Sequence, residues 1–201
     1  IRQDELSPVS GFWIERIRPA VIEALRRGGL AILPTETSYM LAGNACNLRT
    51  MNHLRRLKNR PADQDLSVMF ASVKDASRWT IWNEKALEIA ERFLPGPLTL
   101  ILPVRDDVAQ YASTSKTLGV RIPGHPFLLD LLRMLDFPIT ATSANPHGSL
   151  EPYSVDACVS PVDAVWDAGT LLPTPPSTIL DLSRETPVIL RKGSIEIGGI
   201  T

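Results

Sequence analysis

The 201-residue chain is 44% hydrophobic and 21% charged, with a formal net charge of −1. That balance fits a globular domain with a substantial core and excludes a global basic field of the kind that holds nucleic acid non-specifically. Two cysteines, Cys46 and Cys158, exclude a disulfide framework, and the three scattered histidines, His53, His125 and His147, lack zinc-ligand spacing. No apolar run approaches the roughly 20 residues that span a bilayer, and no signal-peptide pattern opens the sequence, so a reducing, cytoplasmic setting is expected.

In chain order, residues 12–27 read as an amphipathic helix closed by Gly28-Gly29, with Pro19 marking a kink or a late start. "LAIL", 30–33, is a buried strand, and "PTETSYMLAG", 34–43, follows as a hydroxyl-rich loop. Met51, Leu54 and Leu57 predict a short helix ending before Lys58. "LSVMFA", 66–71, is a strand. Asn83 caps a helix over 84–93. "PGP" turns the chain into the strand "LTLIL", 98–102. "LGVRI", 118–122, is a strand, "PFLLDLLRML" a helix, and "FPITAT", 137–142, a strand. "AVWDAG", "STILDL" and "PVILR" complete the series. Irregular alternation of strands and helices predicts an α/β or α+β domain with a mixed sheet.

Four polar segments flank these elements. In "KNRP", Lys58 and Arg60 suit an anion if the irregular chain before Pro61 lets them converge; as a solvated helix end they would merely complement the dipole. "SAN", 143–145, offers hydroxyl, amide and backbone donors to a phosphate or carboxylate, or forms an Asx or Ser turn. Arg121 lies in an apolar strand context and needs a partner or a ligand if it faces inward. Arg191 ends an apolar run, as a functional or simply an exposed residue. His125, before Pro126, reads as a turn or helix-entry residue rather than a catalytic base. No Walker A, GxGxxG or GxSxG pattern occurs, so phosphate is not handled by a standard glycine loop.

Taken in order, "PTETSYML", "KNRP", "DLSVMF", "PGPLT", "VRIP", "TSAN", "STILDL" and "LRKG" resemble the YrdC-like family of threonylcarbamoyl-AMP synthases. The resemblance covers most of residues 20–195. It implies a single catalytic domain over 12–201 after an N-terminal extension, 1–11, with a twisted mixed sheet, flanking helices and a concave basic surface. The implied reaction joins L-threonine, bicarbonate and ATP into threonylcarbamoyl-adenylate and pyrophosphate, with Mg2+ on the ATP phosphates. The product serves N6-threonylcarbamoyladenosine formation in tRNA through a downstream transfer complex, and no membrane is involved.

The resemblance also implies roles. Lys58 and Arg60 fall on the catalytic KxR pair. Arg60, Thr117, Ser143, Asn145 and Arg191 fall on the ATP side. Thr35, Thr37, Tyr39, Arg121 and Ser177 fall on the threonine side. Three positions depart from the pattern: Met40 stands where glycine is usual after the loop tyrosine, Thr142 replaces the proline before "SAN", and Asp65 stands where proline is common. Two other readings compete. One is a carbamoyl-adenylate-handling domain of a maturation protein, and the other is a nucleic-acid-binding module without this activity.

Overall fold

A computed structural model describes residues 11–61, 64–106 and 116–198, with backbone alone for 11–17. The elements are α1 (Gly11–Arg26), β1 (Leu30–Pro34), β2 (Tyr39–Gly43), α2 (Leu48–Leu57), β3 (Val68–Met69), α3 (Val73–Ala76) and α4 (Glu84–Phe93), followed by β4 (Leu98–Pro103), β5 (Thr117–Arg121), α5 (Pro126–Met134), β6 (Ile139–Thr140), β7 (Thr142–Ser143), a 3-10 turn (Val155–Ala157), β8 (Ala164–Val165), β9 (Thr178–Asp181) and β10 (Val188–Arg191).

They form two mixed sheets, ordered β7-β2-β1-β8 and β10-β9-β4-β5-β3-β6. β1 is apolar without interruption because it is buried on both faces. Ala31 and Leu33 pack towards α1 and α5, while Leu30 and Ile32 pack towards α2. A third cluster packs α4 against the six-stranded sheet through Ile89, Ala90, Leu98 and Leu100. Asn83 caps α4 by accepting the Ala86 N–H at 2.8 Å, as its position predicts.

The sheets meet where "FPITAT" was expected to be one strand. The segment divides instead: Ile139–Thr140 joins the larger sheet and Thr142–Ser143 the smaller one. Thr140 fastens the crossing. Its hydroxyl donates to Leu41 O and accepts Gly43 N–H, each at 3.0 Å. The strand expected over 66–71 shrinks to Val68–Met69, and α1 starts ahead of Pro19, which lies inside the helix.

The largest correction concerns "PTETSYMLAG". Only Thr35–Ser38 is a turn. Tyr39–Gly43 is a fully buried strand in antiparallel register with β1, Leu30 opposite Gly43 through Pro34 opposite Tyr39. Among the described residues no helix is long and apolar enough to cross a membrane.

Candidate active site

A cavity of about 340 Å³ opens at the junction of the two sheets. Its first wall is the β1–β2 turn. The Thr35 hydroxyl accepts the Thr37 and Ser38 N–H groups at 3.0 and 3.1 Å and donates to Ser38 O at 2.8 Å. It therefore spends its capacity on shaping the turn. Thr37 Oγ1, 2.9 Å from Thr35 Oγ1, also accepts from Arg121 Nη2 at 3.1 Å. Ser38 Oγ donates to Glu151 at 2.9 Å.

Arg121 ends β5 and is buried, as an inward-facing arginine in "LGVRI" requires a partner. That partner is Glu36, whose Oε1 lies 2.7 Å from Nη2. Burial pushes the Glu36 carboxyl up, but the Arg121 charge and hydrogen bond, with the backbone donors of Glu36 and Gly124, outweigh it and leave the group below its usual range. Behind Glu36, burial lowers the His125 imidazole, which stacks edge-on against Trp166. His125 is thus a packed residue at the start of α5, in keeping with its expected place at a helix entry.

The second wall answers whether Lys58 and Arg60 converge. Lys58 caps α2, Asn59 between them adopts φ 50°, and Arg60 N–H returns to Arg55 O at 2.9 Å while Asn59 N–H reaches Arg56 O at 3.1 Å. This is a Schellman motif with asparagine at the left-handed position. It turns both cations towards the cavity, where each is a lining residue.

Lys58 is 2% exposed, and its amine is saturated. It donates to Ser143 O, to Asn145 O at 2.6 Å and to Asn145 Oδ1 at 3.2 Å. Its backbone carbonyl accepts His147 N–H at 2.7 Å. Asn145 continues the lattice. Oδ1 accepts the Ser143 hydroxyl at 2.6 Å, and Nδ2 donates to Ser149 O and Leu150 O at 2.7 and 2.9 Å. Burial, helped by the Arg60 charge and opposed by Glu151, brings the Lys58 amine down to about 8. Arg60 donates to Asp65 O at 2.7 Å.

The third wall joins β4, β9 and β10. Arg191 donates from Nε to Ser177 O and from Nη2 to Ser177 Oγ, each at 3.0 Å, and Thr99 Oγ1 lies 3.0 Å from Ser177 Oγ. Gly193 passes so close to the Pro176–Thr178 backbone that a Cβ there would lie 2.1 Å from Pro176 O.

Nine of the eleven candidate residues line this cavity: Thr35, Thr37, Lys58, Arg60, Arg121, Ser143, Asn145, Ser177 and Arg191. Two lie elsewhere. The Tyr39 hydroxyl is turned away from the cavity, donating to Gly169 O at 2.7 Å and accepting Ala168 N–H at 2.8 Å, and burial pushes it up to about 12. Thr117 pairs with Pro103 at the end of β5 opposite Arg121. The structure adds Ser38, Thr99, His147 and Glu151 to the lining. Thr99 sits in the quoted "PGPLT" and Ser38 in the hydroxyl-rich turn, whereas nothing local singles out Glu151. Met40 lines the cavity from a regular strand with no positive φ, so it occupies space without backbone strain.

The charged groups on the lining are Lys58, Arg60, Arg121, Arg191 and Glu151, interleaved with hydroxyls. Such a surface is chemically suited to anionic oxygens. Among the described residues no cluster of three or more His, Cys, Asp or Glu could hold a metal ion.

This two-sheet fold recurs in the solved structures of one family. Residues 23–193 match the family described as telomere recombination, which groups Sua5, YciO and YrdC, and the chain belongs to it. The threonylcarbamoyl-AMP synthase of Bacillus subtilis is 35% identical over 178 residues, 85% of this chain and 51% of that protein. Pyrococcus abyssi Sua5 complexed with L-threonine is 33% identical, with a TM-score of 0.79 over 88% of this chain and 54% of the other. Escherichia coli YciO is 26% identical, with a TM-score of 0.82 over 92% of both chains. The chain thus spans about half the length of the B. subtilis synthase and of P. abyssi Sua5, and nearly the whole of YciO.

Proposed function

We propose that the cavity forms L-threonylcarbamoyl-adenylate and pyrophosphate from L-threonine, bicarbonate and ATP. The observation that carries this reading is the convergence of one paired arginine with hydroxyls and of three further cations on a single cavity. The likeness to a threonine-bound Sua5 adds support.

In this account Arg121 receives the threonine carboxylate, with Thr37 and Ser38 beside the amino-acid hydroxyl. Threonine nitrogen attacks the carbon of bicarbonate-derived carbon dioxide and loses a proton, giving an N-carboxylate. A carbamate oxygen then attacks the α-phosphorus, and the bond to the β-phosphate oxygen breaks, releasing pyrophosphate. Both partners are anions, so catalysis consists of neutralising repulsion and holding the two in line. Arg60 and Arg191 face the phosphates, and Lys58, Ser143 and Asn145 fix the loop beside them. No protein nucleophile is required.

Mg2+ would supply charge neutralisation on the phosphates. The lining offers hydroxyls, cations and a single carboxylate already bonded to Ser38, so the ion would travel on the nucleotide rather than in a protein cage. The product would pass to a downstream complex that modifies tRNA, in a reducing, cytoplasmic setting compatible with the free thiols of Cys46 and Cys158. Mass spectrometry of a reaction with ATP, bicarbonate and isotopically labelled threonine tests the reading. A labelled threonylcarbamoyl-adenylate is expected. A carbamoyl-adenylate lacking the label, or no adenylate at all, would contradict it.

A further inference from the structure

A second depression, of about 810 Å³, lies on the outer side of α2 and is lined by Arg49, Asn52, Arg55, Arg56, Asn59 and Arg60. Four of these six residues are arginines and none is acidic. Arg60 lines both this depression and the reaction cavity, so one side chain borders the two spaces. No ion pair to Arg49, Arg55 or Arg56 occurs among the described residues, whose salt bridges lie elsewhere. Asp65 offsets part of the Arg60 charge. The Nε atoms of Arg55 and Arg60 are shielded from water without a hydrogen-bond partner.

Like charges gathered on one short helix oppose folding unless something offsets them. The Schellman turn at Asn59 ends α2 between Arg55 and Arg60, and Arg60 borders both spaces. Guanidinium forks match phosphate oxygens bidentately, and four around one recess suit a compact anion carrying several charges. We infer that the α2 depression is a second anion site that takes inorganic pyrophosphate as it leaves the reaction cavity past Arg60. The inference rests on the adenylation reading for the source of the pyrophosphate. It does not rest on that reading for the existence of the site. Capture outside the cavity would clear the triphosphate position for the next ATP and reduce reversal of adenylate formation.

Isothermal titration of inorganic pyrophosphate into the intact protein, without turnover, tests the site. The variant is Arg49→Gln/Arg55→Gln/Arg56→Gln, with Arg55→Gln alone as a second. Glutamine keeps helix propensity at these positions, so the fold is expected to hold. Loss of three charge-assisted contacts should weaken pyrophosphate binding by about tenfold or more, and the single variant by a few-fold, with threonine binding unchanged. Product inhibition by pyrophosphate should weaken in parallel. Unchanged pyrophosphate affinity in the triple variant, or none in the wild type, would overturn the proposal. So would loss of binding to an RNA hairpin with pyrophosphate binding intact, which would make the face a nucleic-acid surface. Arginine-dependent pyrophosphate binding in a protein that forms no threonine adduct would instead leave the site standing and remove the adenylation reading.

Discussion

Lys58 and Asn145 are joined twice, the amine donating to the asparagine's backbone carbonyl at 2.6 Å and to its side-chain oxygen at 3.2 Å. In the sequence Lys58 reads as half of an anion-binding pair or as a cation on a solvated helix end. The structure makes it the buried fastening of the 143–150 loop. Lys58→Met leaves the carbonyls of Ser143 and Asn145 without this donor. It should lower stability by about 2 kcal/mol and raise the KM for ATP more than that for threonine. Urea unfolding and initial rates check both parts. Wild-type stability in the variant would remove the fastening role.

The same burial sets a pH dependence. The amine titrates near 8 in the folded protein against an ordinary value of 10.5. Below 8 both folded and unfolded chains hold the proton. Between 8 and 10.5 the unfolded chain binds it more strongly, so raising the pH favours the folded state. Wild type should therefore gain stability relative to Lys58→Met between pH 7.5 and pH 9.5, measured by unfolding at both. A gap that narrows with rising pH would contradict the assignment.

Glu36 and Arg121 give the opposite sign. The folded Glu36 carboxyl titrates below its ordinary value of 4.5. Its contribution is present above that value and is lost as the pH falls through the lowered one. Glu36→Gln removes the partner of a mostly buried arginine and should cost about 2 kcal/mol at pH 7, less than a fully buried pair because both side chains retain some exposure. The difference from wild type should shrink at pH 3, and a pH-independent difference would contradict the pairing.

Much of this site was legible because its residues cluster in short polar segments at the ends of apolar runs. The spacing of Lys58 and Arg60 was readable, and asparagine between them was an available sign of a left-handed helix end. What the amine bonds to was not readable, because Ser143 and Asn145 approach it only through the crossing between the sheets. Tyr39 followed the hydroxyl pattern of its neighbours. Its side chain points to the other face because the chain has already entered β2, where successive residues alternate. Thr117 shares β5 with Arg121 but lies four residues away, about 13 Å along a strand that rises roughly 3.3 Å per residue, so it falls at the far end. β2 itself was obscured by the four hydroxyls at and before its start, although "YMLAG" is apolar enough to be buried on both faces.

Met40 fills part of the cavity where glycine is usual. Threonine should be preferred to serine by about tenfold in kcat/KM, since a lost methyl in a fitted pocket is worth about 1–3 kcal/mol, with valine poorer still. Met40→Gly should change the threonine-to-serine ratio more than the KM for ATP. Competition among the three amino acids measures it, and equal use of serine and threonine by the wild type would remove the threonine assignment from this wall.

Gly193 tests the third wall without touching a charged group. A Cβ 2.1 Å from Pro176 O and 2.5 Å from Thr178 N cannot be placed without moving backbone. Gly193→Ala should destabilise by more than about 2 kcal/mol and weaken ATP binding through the displaced Ser177–Arg191 contact. Thermal unfolding and nucleotide titration together would show it, and an alanine variant with wild-type melting would contradict the packing.

The central claim is that one cavity brings threonine-derived carbamate and ATP together. Pyrophosphate release, followed continuously while threonine, bicarbonate or ATP is omitted in turn, tests it most directly. The account predicts release only with all three present, and its loss in Arg60→Ala. Release at the same rate without threonine would contradict it.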